Sequence, residues 1–190
     1  MLKQNPFQET QNRNVKLKMS VEITTVSSAD LVPRSFMPRW RFGEHPYENY
    51  NAKVASAMAL KKQARLHVLS INGRDCGFVA VNIHQLEKNN PYYIQLVYLF
   101  VSKPHRNRMN PDLAEMSVST YLMSHVISES LEIAKFLPVK ELILDPASPR
   151  LETYYEEEFG FKHVPGLPKY SPKFMSLHLD WRGEKPPAEA

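Results

Sequence analysis

One stretch decides the fold of this chain: YYIQLVYLFVSKPHRNRMNPDLAEMSVSTYL at 92–122, continued by VKELILD at 139–145 and YYEEEFGF at 154–161. Residues 92–102 are almost continuously apolar, which predicts a strand that is covered on both faces and lies centrally in its sheet. A basic loop follows this strand and directly precedes a helix, where a phosphate group could be held. The stretch therefore predicts a strand, a basic loop, a long helix, a second strand and a short helix, in that order.

Upstream residues predict the outer part of the sheet. Residues 15–26 alternate as a half-buried strand does, and capping side chains from Ser27 onward predict a first short helix. Asn72-Gly73 lies between two apolar runs and predicts a tight hairpin, because both central residues of such a turn adopt positive φ. Residues 46–64 predict a second helix, whose apolar side carries Tyr50, Val54, Met58 and Leu60.

Downstream residues predict two more helices and three strands. Residues 139–145 predict a short strand, and residues 149–159 predict a helix that Gly160 ends. Two last strands are predicted at 161–164 and 173–181. Residues 115–136 have helical spacing, with a buried stripe of Met116, Leu122, Val126, Ile127, Leu131 and Ile133. Together these elements predict an α/β (α+β) fold with a mixed central sheet of about six or seven strands and about four helices.

Length and composition bound the domain organisation. A chain of 190 residues and 22.0 kDa is most simply one domain. We expect a flexible arm at 1–14, a single domain at 15–182 and a flexible tail at 183–190, because both ends are polar. An arm of this kind can lock a subunit into an assembly, so a homo-oligomer held by the arm is one expectation.

Charge and cysteine usage limit the function classes. The formal net charge of +4 and the pI near 9.1 suit an anionic ligand or partner, although a solvated basic face is the simpler interpretation. The single cysteine, Cys76, excludes an internal disulfide and a cysteine-rich zinc site. No apolar run reaches the ~20 residues of a membrane span, and residues 1–20 have no hydrophobic signal core. We therefore expect a cytoplasmic protein that does not associate with membranes.

Three motifs, in this order, resemble the GNAT superfamily of N-acetyltransferases over about residues 15–181. LFVSKPHR at 99–106 is similar to the family's strand and to the Pro-x-Arg entry of its cofactor loop. VKELILDPAS at 139–148 is similar to the following strand, which splays from its neighbour. YYEEEFGF at 154–161 is similar to the family's Tyr-Glu-x-x-Gly-Phe helix end, with one extra residue. The resemblance implies the GNAT-like acyl-CoA N-acyltransferase fold.

The resemblance also implies a reaction, the transfer of an acetyl group from acetyl-CoA to an amine of a small molecule or a protein. In such enzymes the pantetheine arm lies between two splayed strands, here 92–102 and 139–145. Main-chain groups near Phe100 and Val101 would then bond the arm, and the amides that open the next helix would hold the diphosphate. The resemblance implies no metal.

The predicted cofactor loop departs from the family pattern, because no glycine lies between Gly77 and Gly160. Glycines let the main chain approach a diphosphate closely. Ser117 and Ser119 take the positions nearest the expected glycines. Arg106 and Arg108 can neutralise phosphate, and we assign both arginines and both serines to cofactor binding.

Inserted residues in this loop favour a different turn. Asn110, Pro111 and Asp112 are typical turn residues. The carboxylates of Asp112 and Glu115 add negative charge where an anion should bind. Both features count against an intact diphosphate site.

Two neighbouring tyrosines compete for the role of general acid. Tyr154 and Tyr155 both lie near the position of the family's proton-donating tyrosine, and the extra residue shifts the register by ~100° on a helix. We assign the acid to Tyr155. The alternative is that one tyrosine packs in the core and the other lies on the surface. For the base, the sequence offers a water held by Gln95, or His84 on the neighbouring strand.

The remaining polar motifs predict no separate function. The histidines show no metal-ligand spacing, so no metal is expected, and His105 and His125 are interpreted as exposed and structural. MPRWRF at 37–42 interleaves arginines with Trp40 and Phe42, as base-stacking surfaces do. In this fold the same region borders the acceptor cleft, so we do not expect a nucleic-acid partner.

Two hypotheses follow. The first is an acetyl-CoA-dependent N-acetyltransferase with an unknown amine acceptor, favoured by the ordered motifs and the arginines of the loop. The second is a GNAT-fold protein that has lost its chemistry and serves as a binding or structural protein, such as a phage virion component or an inhibitor of a host protein. The missing glycines and the acidic insertion favour the second.

Overall fold

The computed structural model describes residues 20–26, 40, 46–85, 92–164 and 173–179 of the chain. The predicted arm, the predicted tail and the predicted short helix after Ser27 lie outside the described residues. So do residues 15–19 of the first predicted strand.

The described residues form one seven-stranded mixed sheet, as the sequence predicts. Strands are numbered along the chain, and β5 and β6, in the loop between β4 and the next helix, form a separate hairpin described below. The strands of the main sheet are β1 Val21–Val26, β2 Arg65–Ile71, β3 Arg74–Gln85, β4 Tyr92–Val101, β7 Val139–Leu144, β8 Lys162–His163 and β9 Met175–His178. The spatial order is β1-β2-β3-β4-β7-β9-β8. The β4–β7 pair is parallel and the other neighbours are antiparallel. The apolar strand β4 therefore lies centrally, with neighbours on both sides.

The described part of the chain has three α-helices, α1 Pro46–Leu60, α2 Val118–Ala134 and α3 Pro149–Phe159. The structure confirms the predicted bounds of α3. Ser148 caps its first turn through its side chain, and Gly160 ends it with a φ of 75°. None of the described helices is both long and apolar enough to pass through a membrane.

The buried side of α1 differs from the predicted one. Tyr50 and Val54, which the sequence assigns to the core, are 65% and 37% exposed. The buried side chains are small and recur at helical spacing: Ala52, Ala55, Ser56 and Ala59. Short side chains let the helix approach the sheet closely, so the alanine face packs, Leu60 contacts the same cluster, and Tyr50 and Val54 are exposed.

Two hydrophobic layers lie on opposite faces of the sheet. One face packs on α2 and α3, and the other packs on α1. Gly77 allows α2 to lie close to the sheet, because a Cβ there would come within 2.7 Å of the Phe100 carbonyl oxygen and 2.9 Å of Val118 Cγ1. The structure also confirms the tight hairpin, since Asn72 and Gly73 both have positive φ, 52° and 72°.

The loop before α2 folds as a small unit of its own. Strands β5 Met109–Asn110 and β6 Met116–Ser117 pair as a hairpin, and 3-10 turns occupy Lys103–His105 and Pro111–Leu113. Ala114 and Glu115 adopt left-handed φ of 53° and 61°. Consequently α2 begins at Val118, three residues after the predicted start.

Strands β4 and β7 separate after five residues of β4. Pairing with β7 runs from Tyr92 to Leu96 and then stops, whereas β4 stays paired with β3 as far as Val101. A bulge sits at this point, since Ala80 pairs with Tyr98 and Val81 pairs with Leu96. The expected splay between these two strands is therefore present.

Candidate active site at the splayed strands

A cavity of about 700 Å³ opens where β4 leaves β7. The far half of β4 forms one wall, and side chains from the cofactor loop, α2 and α3 form the others. Its lining comprises Asn51, Tyr98, Leu99, Phe100, Val101, Arg106, Asn107, Ser119, Ala147, Leu151 and Tyr155. Five of the predicted cofactor-binding and catalytic residues therefore line this one cavity: Phe100, Val101, Arg106, Ser119 and Tyr155.

A second cavity of about 440 Å³ adjoins the first on the α1 face of the sheet. The two share Asn51 and Ala147 in their walls. The second is lined by Asn51, Val54, Gln95, Leu96, Val97, Asp145, Pro146, Ala147, Lys173 and Phe174. The two cavities are therefore neighbours at the splay, and apart from Asn51 and Ala147 they are lined by different residues.

Tyr155 lies in the wall of the first cavity. Its ring is only 6% exposed and packs against Phe161 and Tyr154, with ring centroids 5.9 Å and 5.4 Å away. Burial, reinforced by the neighbouring Tyr154, raises the pKa of Tyr155 to about 12. The phenol therefore keeps its proton at neutral pH.

Tyr154 points toward α2 instead. Its hydroxyl lies 3.1 Å from Thr120 Oγ1 and donates to Ser119 Oγ at 3.4 Å. Adjacent residues on a helix point ~100° apart, which separates the environments of the two rings. The structure thus places Tyr155 on the cavity and Tyr154 on a hydroxyl cluster at the start of α2.

The two predicted serines differ in their surroundings. Ser117 caps α2, because its Oγ accepts a hydrogen bond from the Thr120 amide at 3.1 Å. The same Oγ lies 2.8 Å from Ser119 Oγ and 2.8 Å from Thr120 Oγ1. Ser119 lines the first cavity, whereas Ser117 stands behind it. Of the two serines, only Ser119 is therefore in a position to contact a ligand in this cavity.

The two predicted arginines also differ. Arg106 lines the cavity, and its Nε donates to the Val101 carbonyl oxygen at 2.8 Å. Its guanidinium carbon lies 5.5 Å from the centroid of the Phe100 ring. Arg108 is exposed and is absent from the lining of the described cavities. The Val101 carbonyl, which the resemblance assigns to the pantetheine arm, already accepts one hydrogen bond.

The two candidate bases are diagonal neighbours on paired strands, since Gln95 pairs with Asn82 and His84 pairs with Tyr93, but they differ in their relation to the cavities. Gln95 lines the second cavity. His84 pairs with Tyr93 near the start of β4, where its ring stacks on that tyrosine and its Nε2 lies 2.9 Å from Asn82 Nδ2. The described cavity linings do not include His84, so the structure does not bring it to the splay.

Sequence reasoning missed two charged side chains of the second cavity, Asp145 and Lys173. Asp145 follows β7 directly, in VKELILD, and pairing of β7 with β4 carries it to the same wall as Gln95. The signal was a carboxylate at the end of the predicted splayed strand. The candidates for the general base that the sequence predicted, Gln95 and His84, came only from β4 and its neighbour β3.

The acidic residues of the insertion and Trp40 lie outside the two cavities. Neither Asp112 nor Glu115 lines the described cavities, so the insertion does not fill the cofactor side with carboxylates. Trp40 is buried against Phe78 and Phe100, with ring centroids 5.0 Å and 5.6 Å away. Trp40 is thus a core residue, and the rest of its 37–42 run lies outside the described residues.

Comparisons with known proteins agree on the architecture. No protein-family model and no curated protein matches the chain. Among solved structures, AtaTR bound with AcCoA is similar at 14% identity and a TM-score of 0.64, covering 84% of this chain and 93% of that one. AtaT complexed with acetyl-methionyl-tRNAfMet is similar at 12% identity and a TM-score of 0.63, covering 84% and 95%.

A tyrosine-to-phenylalanine mutant of KacT is similar at 11% identity and a TM-score of 0.61, covering 84% of this chain and 94% of that one. These likenesses cover 84% of this chain. At such identities they establish the fold alone: the chain has the architecture of the AtaT and KacT structures, which agrees with the GNAT-like fold expected from the sequence.

Proposed function

We propose that this protein is an acetyl-CoA-dependent N-acetyltransferase. One observation carries the proposal: the splay beyond Leu96 opens onto a cavity whose wall holds the buried, protonated phenol of Tyr155. Acyl transfer from a thioester to an amine is helped by a cavity that positions the two reactants and by a nearby proton donor, and this site offers both. The AcCoA complex of AtaTR, which has the same architecture, supports this assignment.

The residues present fit acetyl-CoA. Beyond Leu96, β4 has no pairing with β7, so its edge near Phe100 and Val101 can bond the amides of a pantetheine arm. Arg106 stands at the same cavity with a fixed orientation, and Ser119 offers a hydroxyl from the first turn of α2. These two would hold the diphosphate in place of the usual glycine loop. Arg108, which is exposed and lies two residues after Arg106, would contribute a positive charge near the opening of the first cavity.

Acetyl-CoA, when bound, supplies the thioester, and the protein's own side chains handle the protons. Tyr155 holds a proton at its hydroxyl and would donate it to the leaving sulfur. On the other side of the splay, the Asp145 carboxylate would accept a proton from the ammonium group of the acceptor. Gln95, in the same wall, would orient that amine or a water that relays its proton.

The acceptor we propose is the α-amine of an aminoacyl-tRNA. The neighbour solved with acetyl-methionyl-tRNAfMet supports this class. In this chain, two charged side chains line the second cavity. Asp145 could bind the ammonium group of the aminoacyl-tRNA, and Lys173 could bind one of its phosphates. Arg106, from the loop, lies at the first cavity. This proposal replaces the sequence-based expectation that nucleic acid is not a partner.

Thiol release from acetyl-CoA tests the proposal. Aminoacyl-tRNA, spermidine and a lysine peptide should be compared as acceptors, and only the first should give rapid release. Tyr155→Phe should lower kcat by on the order of 100-fold, because it removes the proton donor but keeps the ring. Tyr154→Phe is the matched control on the same helix and should retain most of the activity.

Three results would count against parts of the proposal. Rapid release with free amines alone would exclude tRNA as the acceptor but keep the transferase. A larger loss in Tyr154→Phe than in Tyr155→Phe would move the acid to Tyr154. Absence of acetyl-CoA binding at millimolar concentration in calorimetry would exclude the enzyme and favour a binding protein.

A further inference from the structure

A cluster of two histidines and a glutamate lies between β2 and α2, apart from the splay. His67 comes from β2, and His125 and Glu129 come from α2. One nitrogen or oxygen from each residue can be chosen so that all three atoms lie within 4.8 Å of one another. None of the three lines either described cavity at the splay. The proposed acetyl transfer therefore does not use this cluster.

We propose that His67, His125 and Glu129 form a binding site for a first-row transition-metal cation such as Zn²⁺. Two imidazoles and one carboxylate are ligands that such cations accept. His125 and Glu129 are four residues apart on a helix, so their side chains lie on one face. The sheet brings His67 to that face from 58 positions earlier in the chain.

Thr25 determines which nitrogen of His67 is available. Its Oγ1 lies 3.1 Å from His67 Nδ1, and we assign the ring proton to Nδ1 so that the hydroxyl accepts it. Metal-binding histidines commonly donate their other ring N–H in this way, which fixes the tautomer and the orientation of the ring. The lone pair then resides on Nε2.

The Nε2 atom of His67 is the most informative atom of the cluster. It is buried, and Glu129 Oε2 lies only 2.9 Å from it, close enough for an ion pair or for a hydrogen bond through a ring proton. In the tautomer assigned above that proton is on Nδ1, so both facing atoms are acceptors, and a bound cation would take the place of the proton between them. At bond lengths of about 2.1 Å, two donors 2.9 Å apart subtend an angle of about 90° at a metal.

The other contacts are compatible with this site. Arg65 Nη1 lies 3.1 Å from Glu129 Oε1, which occupies that oxygen and leaves Oε2 directed toward His67. The charge of Arg65 opposes a cation, but its side chain is 61% exposed and is screened by solvent. His125 is half-buried, and its Nε2 lies 3.4 Å from His67 Nδ1, so its ring would have to turn toward the Nε2 side of His67 to complete the set. Solvent would fill the remaining positions.

Metal titration of the full chain, after treatment with a chelator, tests the proposal. Zn²⁺ in calorimetry and Co²⁺ in visible absorption should each show one saturable equivalent. His125→Gln and Glu129→Gln should each weaken binding by at least on the order of 10- to 100-fold, the loss typical of disturbing a metal's surroundings. Thr25→Val should weaken Zn²⁺ binding less, since it removes no metal ligand and only removes the hydroxyl that holds the proton on His67 Nδ1.

The chain contains a matched control in a second histidine–glutamate pair. His163 Nε2 lies 3.7 Å from Glu152 Oε2 at the surface. Unlike His67 and Glu129, this pair belongs to no group of three metal-binding side chains among the described residues. His163→Gln should bind Zn²⁺ as the unmodified protein does. Circular dichroism and thermal unfolding confirm that each variant is folded. His125→Gln is preferred over a change at the fully buried His67, since His125 is half-buried.

Three outcomes would overturn the proposal. The first is the absence of saturable binding by the unmodified protein. The second is binding that survives in a folded His125→Gln/Glu129→Gln double variant. The third is an equal loss in His163→Gln. Each would leave a proton, rather than a metal, between His67 and Glu129.

Discussion

Arg106 Nε donates a hydrogen bond to the main-chain carbonyl oxygen of Val101 across 2.8 Å, and this contact fixes the guanidinium at the edge of the first cavity. A side chain held in this way is pre-oriented for an anion, because less conformational entropy is lost on binding. The contact also joins the loop to the last residue of β4. Cofactor binding and the position of the loop are therefore linked through one side chain.

Arg106→Ala should weaken acetyl-CoA binding by about tenfold or more, because it removes a charged hydrogen-bond donor from the cavity wall. Calorimetry measures the affinity directly. Arg108→Ala is the matched control, since Arg108 is exposed and does not line the cavity. An equal loss in the two variants would mean that net charge alone, rather than orientation, determines the affinity.

Asp145→Asn should lower kcat and shift the rate to higher pH, since the acceptor amine must then reach the site already deprotonated. The carboxylate lines the second cavity and would otherwise accept the proton. A pH profile of kcat for both proteins checks the prediction. Asp112→Asn, which changes a carboxylate outside that lining, should behave as the unmodified protein does. A pH profile that is unchanged in Asp145→Asn would remove this residue from the mechanism.

Tyr155 should make the fold sensitive to alkaline pH. Burial raises its pKa from the ordinary value near 10 to about 12 in the folded state. Below pH 10 the phenol is neutral in both states, and the native structure has its full stability. Between pH 10 and 12 the unfolded chain ionises first, so stability falls as pH rises. The loss should approach 2–3 kcal/mol, at about 1.4 kcal/mol for each unit of pKa shift.

Urea unfolding at pH 9 and at pH 11.5 measures this effect. Tyr155→Phe should lose less stability across the interval than the unmodified protein, and the difference isolates Tyr155 from the other tyrosines. Equal losses in both proteins would show that burial does not keep this phenol neutral.

Gly77→Ala should destabilise the fold by about 1–3 kcal/mol, the usual effect of overpacking a core. The added Cβ would lie 2.7 Å from a backbone oxygen of β4 and 2.9 Å from Val118 of α2, and the backbone oxygen cannot rotate away. Thermal or urea unfolding gives the value. Gly73 is the comparison position, because no atom lies within 4 Å of a Cβ there and only its positive φ of 72° opposes substitution.

Local signals explain how much of the fold the sequence predicts. The Asn72-Gly73 hairpin and the central strand 92–101 depend on a turn or a hydrophobic pattern that a short window contains. The same holds for the helix at 149–159, with its serine cap and glycine stop. The face of α1 was predicted wrongly because large apolar residues were weighted over alanines, whereas close packing on the sheet selects small side chains.

The candidate site was only partly predictable, because pairing between distant strands and helices determines it. Asp145 reaches the acceptor cavity through the β4–β7 pairing, and His67 meets His125 through a contact across 58 positions. The left-handed residues Ala114 and Glu115 carry no glycine signal, so the hairpin before α2 could not be foreseen. Phe100, Val101, Arg106 and Tyr155 were easier to predict, since each lies within one of the three motifs.

Leu113, in the middle of the inserted segment, is 1% exposed and belongs to the main core. Because its side chain is anchored there, the segment cannot swing away without opening a hole in the interior. The loop that brings Arg106 and Asn107 to the first cavity is therefore tied to the interior a few residues further along the chain. In the proposed enzyme this segment would stay in place, so product release would not depend on its movement.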